Sequence, residues 1–451
     1  EHSMSGSRSF QAPKGTRDFY PPQMAVRRHI DEVWRRASID CGFEEIDGPT
    51  FEHLDLYTVK SGEGIVSELF SFRRAGGEDD YALRPEFTPT LARMAAAKGP
   101  SLPLPTKWFA IPSHFRAERP QRGRLREFFQ WNVDVVGLGE PDGEVEVIEC
   151  AVLALERFGL SPQDVQVRLS HRDAVSSLLR LLGTPEASVP GAFELLDRFD
   201  RLPPDEFARR GESLGLSPDS IARLRESIVA ARPMSESPGQ IAVAMGVEAS
   251  QLASIEPLQE RLRRADLLEW CTFDPGIVRG LAYYKGIVFE IHETGGAERA
   301  IAGGGRYDGL ISLVGGPDLS ACGMGMGDVV LSLVLKDRGL LGEDEGESLL
   351  PRPDAFVVAL ADEASALVPS ALRSLRRAGL HARMSHRASR NLGKLLADAN
   401  KARARFAVIL DAGVAEGRAT LKDLASGGQV DVPIATLAEE LRVRLDEARA
   451  S

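Results

Sequence analysis

The sequence predicts a chain of α+β class, in which a largely antiparallel sheet is followed by a separate α/β domain. Strand-like runs between residues 43 and 302 are separated mostly by turn residues, a pattern typical of antiparallel pairing with helices on one face. Residues 172–256 contain short helical segments broken by proline and glycine, which indicates a helical insertion. After residue 353, apolar strands alternate with helices, as in a parallel βαβ unit.

The individual elements follow from local patterns. Residues 22–40 predict an amphipathic helix, because Val26, Ile30 and Trp34 recur with a helical period, and Gly42 ends it. Strands of the sheet are predicted at residues 43–46, 108–112, 130–136, 165–169, 271–273, 287–291 and 300–302. In the C-terminal part, strands are predicted at residues 355–360, 381–384 and 406–410, and helices at residues 364–378 and 391–402.

The length of 451 residues gives room for about three domains, at roughly 150 residues each. An acidic stretch rich in proline and glycine, residues 337–353, is typical of a linker. We therefore predict a sheet domain in two parts (10–171 and 257–336), a helical insertion (172–256), the linker (337–353) and a C-terminal α/β domain (354–451).

The composition excludes several classes of protein. No apolar run approaches the ~18 residues of a membrane span, so no membrane partner is expected. The four cysteines lie too far apart in the chain for a C-x-x-C pair, which favours free thiols in a reducing compartment. No P-loop motif is present, and the glycine run at residues 323–327 is interpreted as tight strand-to-helix packing.

The charge is distributed unevenly along the chain. The net charge of −11 argues against a nucleic-acid partner for the whole chain, but residues 373–405 contain ten basic residues and one acidic residue. Such asymmetry indicates a polyanionic partner for the C-terminal domain, although a solvated helix face would have the same composition.

Residues 115–130 have the most distinctive local sequence, with five arginines between positions 116 and 126 around Gly123 and two phenylalanines after them. A strand, a basic turn and a second strand would project guanidinium groups that bind phosphate, while an aromatic face stacks on a purine. A surface ladder of ion pairs is the alternative interpretation.

Three further segments are candidates for a site. Residues 278–290 place Arg279 before a strand with two adjacent tyrosines, which would otherwise only pack the sheet. Residues 302–310 contain three glycines before an Arg-Tyr pair and would allow close approach of a ligand, or form a flexible hairpin. Residues 83–91 contain Glu86 and Thr88 between prolines, in a loop that is otherwise an ordinary surface turn.

With their spacing, these four segments resemble the histidyl-tRNA synthetases, a family of class II aminoacyl-tRNA synthetases. The Phe-Arg-x-Glu-Arg-Pro-x-x-Gly-Arg stretch resembles motif 2, and the helix ending at Gly42 with Pro49 resembles motif 1, the dimer-forming element. Arg-Gly-Leu-x-Tyr-Tyr at 279–284 and Gly-Gly-Arg-Tyr-Asp-Gly at 304–309 resemble the two histidine-specific signatures. The C-terminal α/β unit fits the anticodon-binding domain of the family.

The resemblance implies a histidine-binding site. Its expected members are Glu86, Phe87, Thr88, Gln130, Asp134, Arg279, Tyr283, Tyr284 and Tyr307. Glu86 and Gln130 would hold the α-ammonium group, Asp134 would accept a hydrogen bond from the substrate, and Tyr284 with Tyr307 would contact the imidazole ring.

The resemblance also implies an ATP-binding site formed by Arg116, Glu118, Arg124, Phe128 and Arg279. Arg116 would bind the α-phosphate, Glu118 would recognise the adenine amino group and Phe128 would stack on the ring. Arg124 would reach the outer phosphates. Arg279 would contact both the histidine carboxylate and the α-phosphate, so that Arg116 and Arg279 are the expected catalytic residues.

One departure from the family pattern concerns motif 3, whose arginine grips the γ-phosphate in most class II relatives. Here Gly327-Asp328 is aligned with the usual Glu-Arg pair. Asp328 would act through Mg²⁺, or a neighbouring arginine such as Arg122 would substitute. The metal ligands therefore stay unknown at this point.

The expected activity is attachment of L-histidine to tRNA(His) through histidyl-adenylate, with ATP and Mg²⁺, in the cytoplasm. The expected assembly is a homodimer formed through the motif 1 helix, with tRNA(His) bound at residues 373–405. The alternative is a non-catalytic, histidine-sensing regulatory subunit of ATP phosphoribosyltransferase. That subunit generally lacks the anticodon-binding domain and several ATP-site residues, both of which this sequence has.

Overall fold

The computed structural model describes residues 10–450, apart from residues 62–65, 67, 200–201, 230, 279–283, 297–298, 343 and 345. Contacts divide the chain into a first unit, Glu1–Ser348, and a second unit, Leu349–Ser451. The boundary between the units falls inside the stretch of 337–353 that the sequence predicts as a linker.

The first unit combines a large sheet with helices and a smaller sheet. Its strands are β1 (Glu44–Glu45), β2 (Phe51–His53), β3 (Ser71–Arg73), β4 (Asp80–Leu83), β5 (Thr106–Ala110), β6 (Ser113–Phe115), β7 (Glu127–Val136), β8 (Val165–His171), β9 (Arg232–Pro233), β10 (Cys271–Phe273), β11 (Lys285–Glu293), β12 (Ala302–Arg306) and β13 (Ala321–Gly327). Its helices are α1 (Pro21–Asp40), α2 (Asp55–Ser61), α3 (Thr88–Lys98), α4 (Asp142–Arg157), α5 (Arg172–Leu181), α6 (Val189–Asp197), α7 (Pro204–Ser213), α8 (Pro218–Val229), α9 (Pro238–Met245), α10 (Glu256–Arg264), α11 (Leu310–Leu313) and α12 (Asp328–Asp337).

The large sheet is antiparallel at its centre, where the strands follow the order β5-β7-β13-β12-β11-β8. At the two ends, β1 joins β5 and β10 joins β8 in parallel. The α+β class predicted from the sequence is therefore confirmed. Among the described residues, no helix combines the length and the apolar character needed to cross a lipid bilayer.

Helices α1 and α4 pack against one face of the large sheet and form the main core with it. Along β7, Phe129, Trp131, Val133 and Val135 alternate and are buried on this face, because successive side chains of a strand point to opposite sides. The ring of Trp131 stacks on that of Trp34 from α1, with 5.9 Å between the centroids. The other face of β7 is thereby left for polar side chains.

The helical insertion, α5 to α9, joins this core. Leu178 of α5, Leu224 of α8 and Ile241 of α9 belong to the same buried cluster as Val167 of β8. The sequence predicts no strand here, whereas the two residues of β9 pair with β10. A segment of two residues is too short for alternating polarity to reveal it.

A smaller antiparallel sheet, in the order β2-β4-β3, carries an aromatic patch formed by Phe51, His53, Phe72 and Tyr81. The rings contact one another with centroid distances of 5.1–5.8 Å. Phe51 and Phe72 are nevertheless 47% and 43% exposed. Exposed apolar rings that form a contiguous patch are less common on protein surfaces than single exposed apolar residues, and such patches often mark interaction sites.

The second unit has its own five-stranded sheet and its own hydrophobic clusters. Its strands and helices are β14 (Ala355–Ala359), α13 (Asp362–Arg377), β15 (Ala382–Met384), α14 (Leu392–Lys401), β16 (Phe406–Leu410), β17 (Arg418–Asp423), β18 (Gln429–Pro433) and α15 (Leu437–Ala450). Strands β15, β14 and β16 are parallel, as the sequence predicts. The antiparallel hairpin of β17 and β18 was not predicted, because both strands have largely polar sequences; β17 pairs with β16, and β18 forms the sheet edge.

Candidate active site

Alternation along β7 places Phe128, Gln130, Asn132 and Asp134 on the face opposite to the buried Trp131. A cavity of about 730 Å³ lies over this face. The predicted site residues that line it are Glu86, Thr88, Arg116, Glu118, Arg124, Gln130, Tyr284 and Tyr307. Each of the four sequence segments therefore contributes at least one side chain to the same cavity.

Glycines of β13 make room for the polar side chains of β7. Gly323 is the register partner of Asp134. A Cβ atom on Gly323 would lie 2.0 Å from Asp134 Oδ1, and one on Gly325 would lie 2.4 Å from Gln130 Nε2. No side chain fits at either position unless the β7 residues move, so the glycine run serves the cavity as well as strand packing.

The three glycines at 303–305 form the middle of β12, with β11 on one side and β13 on the other. The flexible-hairpin interpretation of this segment is therefore wrong. A Cβ atom on Gly304 would lie 2.5 Å from Phe289 Cζ and 2.6 Å from the Gly323 carbonyl oxygen. Gly303 and Gly304 line the cavity, where bare backbone allows a ligand to approach the sheet closely.

Tyr307 and Asp134 form a buried pair at the base of the cavity. The Tyr307 hydroxyl donates a hydrogen bond of 2.7 Å to Asp134 Oδ1. Burial raises the pKa of Asp134 to about 7, although the hydrogen bond from Tyr307 acts in the opposite direction. Burial also raises the pKa of Tyr284 and Tyr307, so both phenols stay protonated. The carboxyl group of Asp134 thus titrates near neutral pH.

The residues on either side of Tyr307 fix its position. Arg306 forms two hydrogen bonds of 2.7 Å to the buried carboxylate of Glu144 on α4. Asp308 Oδ1 accepts hydrogen bonds from Arg306 Nη1 (3.2 Å) and from the backbone N–H of Ala321 (2.8 Å). In the Arg-Tyr-Asp triplet, only the tyrosine therefore lines the cavity, and the two charged residues anchor it.

The basic segment forms the predicted hairpin, in which β6 pairs with β7. Arg116 Nε donates to the Pro85 carbonyl oxygen at 3.1 Å, and its guanidinium lies 5.0 Å from the centre of the Phe128 ring. Arg124 forms an ion pair with Glu118, which is what the alternative interpretation, a surface ladder of ion pairs, predicts. Both residues nevertheless line the cavity, so the pairing occurs at the site.

Behind Phe128 lies His114, a residue that the sequence interpretation missed. The two rings stack with centroids 5.5 Å apart and planes at 24°. His114 is fully buried, and burial lowers its pKa well below the usual value, so the imidazole is neutral. The neutral imidazole packs against Phe128 and so helps to hold the phenyl ring in place.

Five predicted site residues are not part of the described lining of this cavity. Asp134 is buried and bonded to Tyr307, and Phe128 lines a smaller adjoining cavity. The other three are Phe87, Arg279 and Tyr283. Phe87 is fully buried in an apolar cluster with Leu91 and Trp108, because it precedes α3 and points into the core. Arg279 and Tyr283 lie outside the described residues.

Asp328 has a different environment from the one expected for a metal-binding residue. It is the first residue of α12 and only 5% exposed. Its Oδ2 accepts a hydrogen bond of 2.7 Å from Arg17 Nη2, and its Oδ1 accepts one of 2.9 Å from the Phe129 N–H. Both oxygens thus tie the N-terminal segment and β7 to α12. Arg122, the other suggested substitute for the motif 3 arginine, has its Nη2 atom 3.8 Å from Asp337 Oδ2.

Glu290 is a second cavity residue that was missed. It is buried in β11, lines the cavity, and has an oxygen 2.7 Å from His292 Nε2. The available signal was a glutamate within the apolar run of residues 287–291, since glutamate side chains are seldom fully buried unless they are paired. Asn132 also lines the cavity, one alternation from Gln130.

Comparison with known proteins agrees with this geometry. Residues 15–327 match the family model described as histidyl-tRNA synthetase, and residues 354–444 match the model described as anticodon binding domain. The histidine–tRNA ligase of Opitutus terrae is 40% identical over 74% of this chain and 76% of its own length. That of Natronomonas pharaonis is 34% identical over 95% and 96%.

Solved structures show the same fold. The histidyl-tRNA synthetase of Nostoc sp. superposes with a TM-score of 0.78 at 24% identity, over 97% of this chain and all of the other. A Bacillus halodurans protein described as an ATP phosphoribosyltransferase regulatory subunit/histidyl-tRNA synthetase gives 0.71 at 22% identity, over 90% and 99%. On the family-model match and the sequence identities, this chain belongs to the histidyl-tRNA synthetase family.

Proposed function

We propose that this chain is a histidine–tRNA ligase, which joins L-histidine to tRNA(His) at the expense of ATP. One observation carries the proposal: two adjoining cavities, which share Arg116 and Arg124, join polar groups suited to an amino acid with arginines and the Phe128 ring suited to a nucleotide. The relatives from Opitutus terrae and Natronomonas pharaonis bear the name of this activity.

The amino-acid half of the cavity has polar groups at both ends of a histidine. Glu86, Thr88 and Gln130 offer oxygens to the α-ammonium group. Behind Tyr307, the carboxylate of Asp134 offers the acceptor that an imidazole N–H requires. A pocket that bonds a polar side chain strongly rejects analogues without it, because its own buried groups are then left unpaired. We assign histidine specificity to this end.

The nucleotide half would hold ATP with its α-phosphate at Arg116 and its adenine on Phe128. A histidine carboxylate oxygen attacks the α-phosphorus, and the bond to the β-phosphate breaks with pyrophosphate leaving. The nucleophile is already ionised near neutral pH, so catalysis consists of positioning and charge stabilisation. We assign the second cationic role to Arg279, from the motif that it occupies.

The nucleotide enters as MgATP. Among the residues that the structure describes, no group of three or more ligating side chains could hold a metal ion. Magnesium keeps several waters and takes substrate phosphates plus one or two carboxylates as ligands. Glu68 is a carboxylate that lines the cavity and fits that limited role.

The second unit supports the tRNA part of the proposal. Residues 354–444 match an anticodon-binding model, and Arg373 and Arg377 are exposed on α13. Other basic residues of the same stretch are paired, as Arg387 is with Asp398. Phosphate contacts made by exposed arginines give affinity that falls with salt. The tRNA hydroxyl then attacks the adenylate carbonyl in the first unit, and AMP leaves.

The regulatory-subunit alternative is disfavoured by the nucleotide half of the cavity. A protein that only senses histidine has no use for Arg116, Arg124 and Phe128 gathered beside the amino-acid pocket. We also propose the cytoplasm as the place of action, since Cys41, Cys150, Cys271 and Cys322 are all free.

Pyrophosphate exchange tests the proposed function. With MgATP, we expect exchange to depend on histidine and to be at least 10³-fold slower with any other standard amino acid, as for polar-side-chain selection. Purified tRNA(His) transcript should then accept histidine, and the KM for tRNA should rise with salt while exchange changes little. Histidine binding without exchange would support the regulatory alternative, and exchange with another amino acid would overturn the specificity.

We further propose that the active form is a homodimer. The family resemblance implies a contact through the motif 1 helix, yet the apolar residues Ile30, Trp34 and Ala37 of α1 are buried within the chain itself. The aromatic patch on β2, β3 and β4 keeps large apolar rings exposed in the segment directly after that helix. We assign the centre of the interface to this patch, with α1 contributing its polar outer face.

Phe72→Glu tests the dimer proposal. A carboxylate buried against a partner's aromatic rings costs several kcal/mol, so we expect the variant to dissociate at micromolar concentration. Light scattering after size exclusion measures the mass. Val243→Glu is the matched control, because Val243 is an exposed apolar residue of the insertion, outside the patch. A wild-type chain that is monomeric at 50 μM, or a dimeric Phe72→Glu variant, would contradict the proposal.

A further inference from the structure

A second, smaller cavity of about 200 Å³ adjoins the first and shares Arg116, Arg124 and Gln130 with it. Phe128 forms part of its wall, so this is the nucleotide side of the site. Val329 and Val330, from the start of α12, line it with apolar side chains. The motif 3 segment therefore presents no cation to the cavity, where most class II relatives have an arginine for the γ-phosphate.

Neither substitute suggested by the sequence fills this gap. Asp328 is turned into the protein, where both its oxygens accept hydrogen bonds from Arg17 and Phe129. Arg122 points towards Asp337 at 3.8 Å, is 66% exposed, and is absent from the described lining of either cavity.

Arg299 lies where a cation is required. It comes from the connection that leads into β12, a segment outside motifs 2 and 3, and it lines the smaller cavity. Its Nη2 donates a hydrogen bond of 2.8 Å to Gln121 Oε1 in the motif 2 turn. Its Cδ atom is 3.9 Å from the Cβ position of Gly123, so the side chain lies along that turn.

The charge around the smaller cavity favours an anion. Arg116, Arg124 and Arg299 line it, and its described lining includes no carboxylate. Glycines of β12 and β13 form much of the remaining wall and leave backbone close to the space. Arg299 is exposed at the outer rim, whereas Arg116 lies deeper, next to the aromatic ring.

We propose that Arg299 binds the outer phosphates of ATP and so takes over the task of the motif 3 arginine. A guanidinium has five N–H donors in a planar fork, so one group can bond Gln121 and a phosphate oxygen together. The proposal rests on the proposed ligase function. It assigns to the β11–β12 connection a substrate contact that the family's sequence motifs do not contain.

Steady-state pyrophosphate exchange tests Arg299, with KM for ATP and kcat measured separately. We expect Arg299→Ala to raise the KM for ATP at least tenfold, with KM for histidine unchanged within twofold. Arg299→Lys should recover most of the loss, because a point charge still attracts phosphate. Inhibition by AMP, which lacks the outer phosphates, should be equal in the wild type and in Arg299→Ala.

Two further variants decide between explanations. Arg209→Ala removes the same charge from an exposed site on α7 and should leave all constants unchanged. Arg122→Ala tests the competing arginine of the same turn. The proposal is overturned by a normal KM for ATP in Arg299→Ala, by a parallel loss of AMP binding, or by Arg122→Ala showing the loss instead. A wild type without exchange would count against the ligase function itself.

Discussion

Replacing Arg116 by alanine should reduce histidine-dependent pyrophosphate exchange by about 10²–10³-fold, the usual cost of losing one preorganised group that stabilises transition-state charge. Arg116 is held by the Pro85 carbonyl oxygen and lies against the Phe128 ring, so its position is fixed before substrate arrives. Burial lowers its pKa, but a guanidinium stays charged in proteins, and the poorly hydrated charge interacts strongly with a phosphate.

The loss in the Arg116→Ala variant should appear mainly in kcat, because charge on the α-phosphorus oxygens increases in the transition state. Arg116→Lys keeps the charge but loses the planar fork, so we expect an intermediate rate. Arg119→Ala is the control, since Arg119 is exposed in the same turn and is absent from the described lining of both cavities. An Arg116→Ala enzyme with a normal kcat, or with an altered melting temperature that explains the loss, would refute the assignment.

Much of the fold follows from periodicity in the sequence. The helix predicted over 22–40 is α1, and the strand predicted at 406–410 is β16. These segments are long and strongly patterned, so local sequence determines them. Strand β12 was predicted at residues 300–302 but spans Ala302–Arg306, because its glycines carry no polarity pattern and adopt extended structure only between β11 and β13.

Site residues could be predicted from the sequence only where they belong to a motif of the family, recognised by residue type and spacing. Gln130 and Tyr307 reach the cavity from segments that the motifs mark. His114, Glu290 and Arg299 matter through tertiary neighbours that no local pattern shows. Phe87 was expected at the site from the family resemblance, but its side chain, just before α3, points into the core.

Asp134 couples function to stability, because its carboxyl group is buried and its pKa is raised to about 7. An unfolded aspartate has a pKa of about 3.9. Between these values the native state binds more protons than the unfolded state, so stability falls as the pH rises, by roughly 1.4 kcal/mol per unit at most. Above pH 7 both states are ionised and the loss stays constant.

Asp134→Asn removes this titration while keeping an oxygen that can accept the Tyr307 hydroxyl. The free energy of unfolding of the variant, relative to that of the wild type, should therefore increase as the pH rises from 4 to 7 and stay at that higher relative value at pH 8. Urea denaturation at intervals of half a pH unit measures the difference. Asp164→Asn is the control of opposite sign, since hydrogen bonds from Ser161 lower the pKa of Asp164 and its ionised form stabilises the fold.

The same Asp134→Asn substitution should raise the KM for histidine by about 10–100-fold at pH 8, the cost of losing a hydrogen bond to a charged acceptor. For the wild type, the KM for histidine should fall as the pH rises through 7 if Asp134 has the proposed role, because an ionised carboxylate is a stronger acceptor for the imidazole N–H than a neutral carboxyl. Below pH 6 the variant and the wild type should converge, since a protonated carboxyl and an amide both present one neutral acceptor. A variant that bound histidine normally at pH 8 would show that Asp134 does not bind the substrate. A difference in unfolding free energy between variant and wild type that stayed constant from pH 4 to 8 would show that the pKa of Asp134 is not raised.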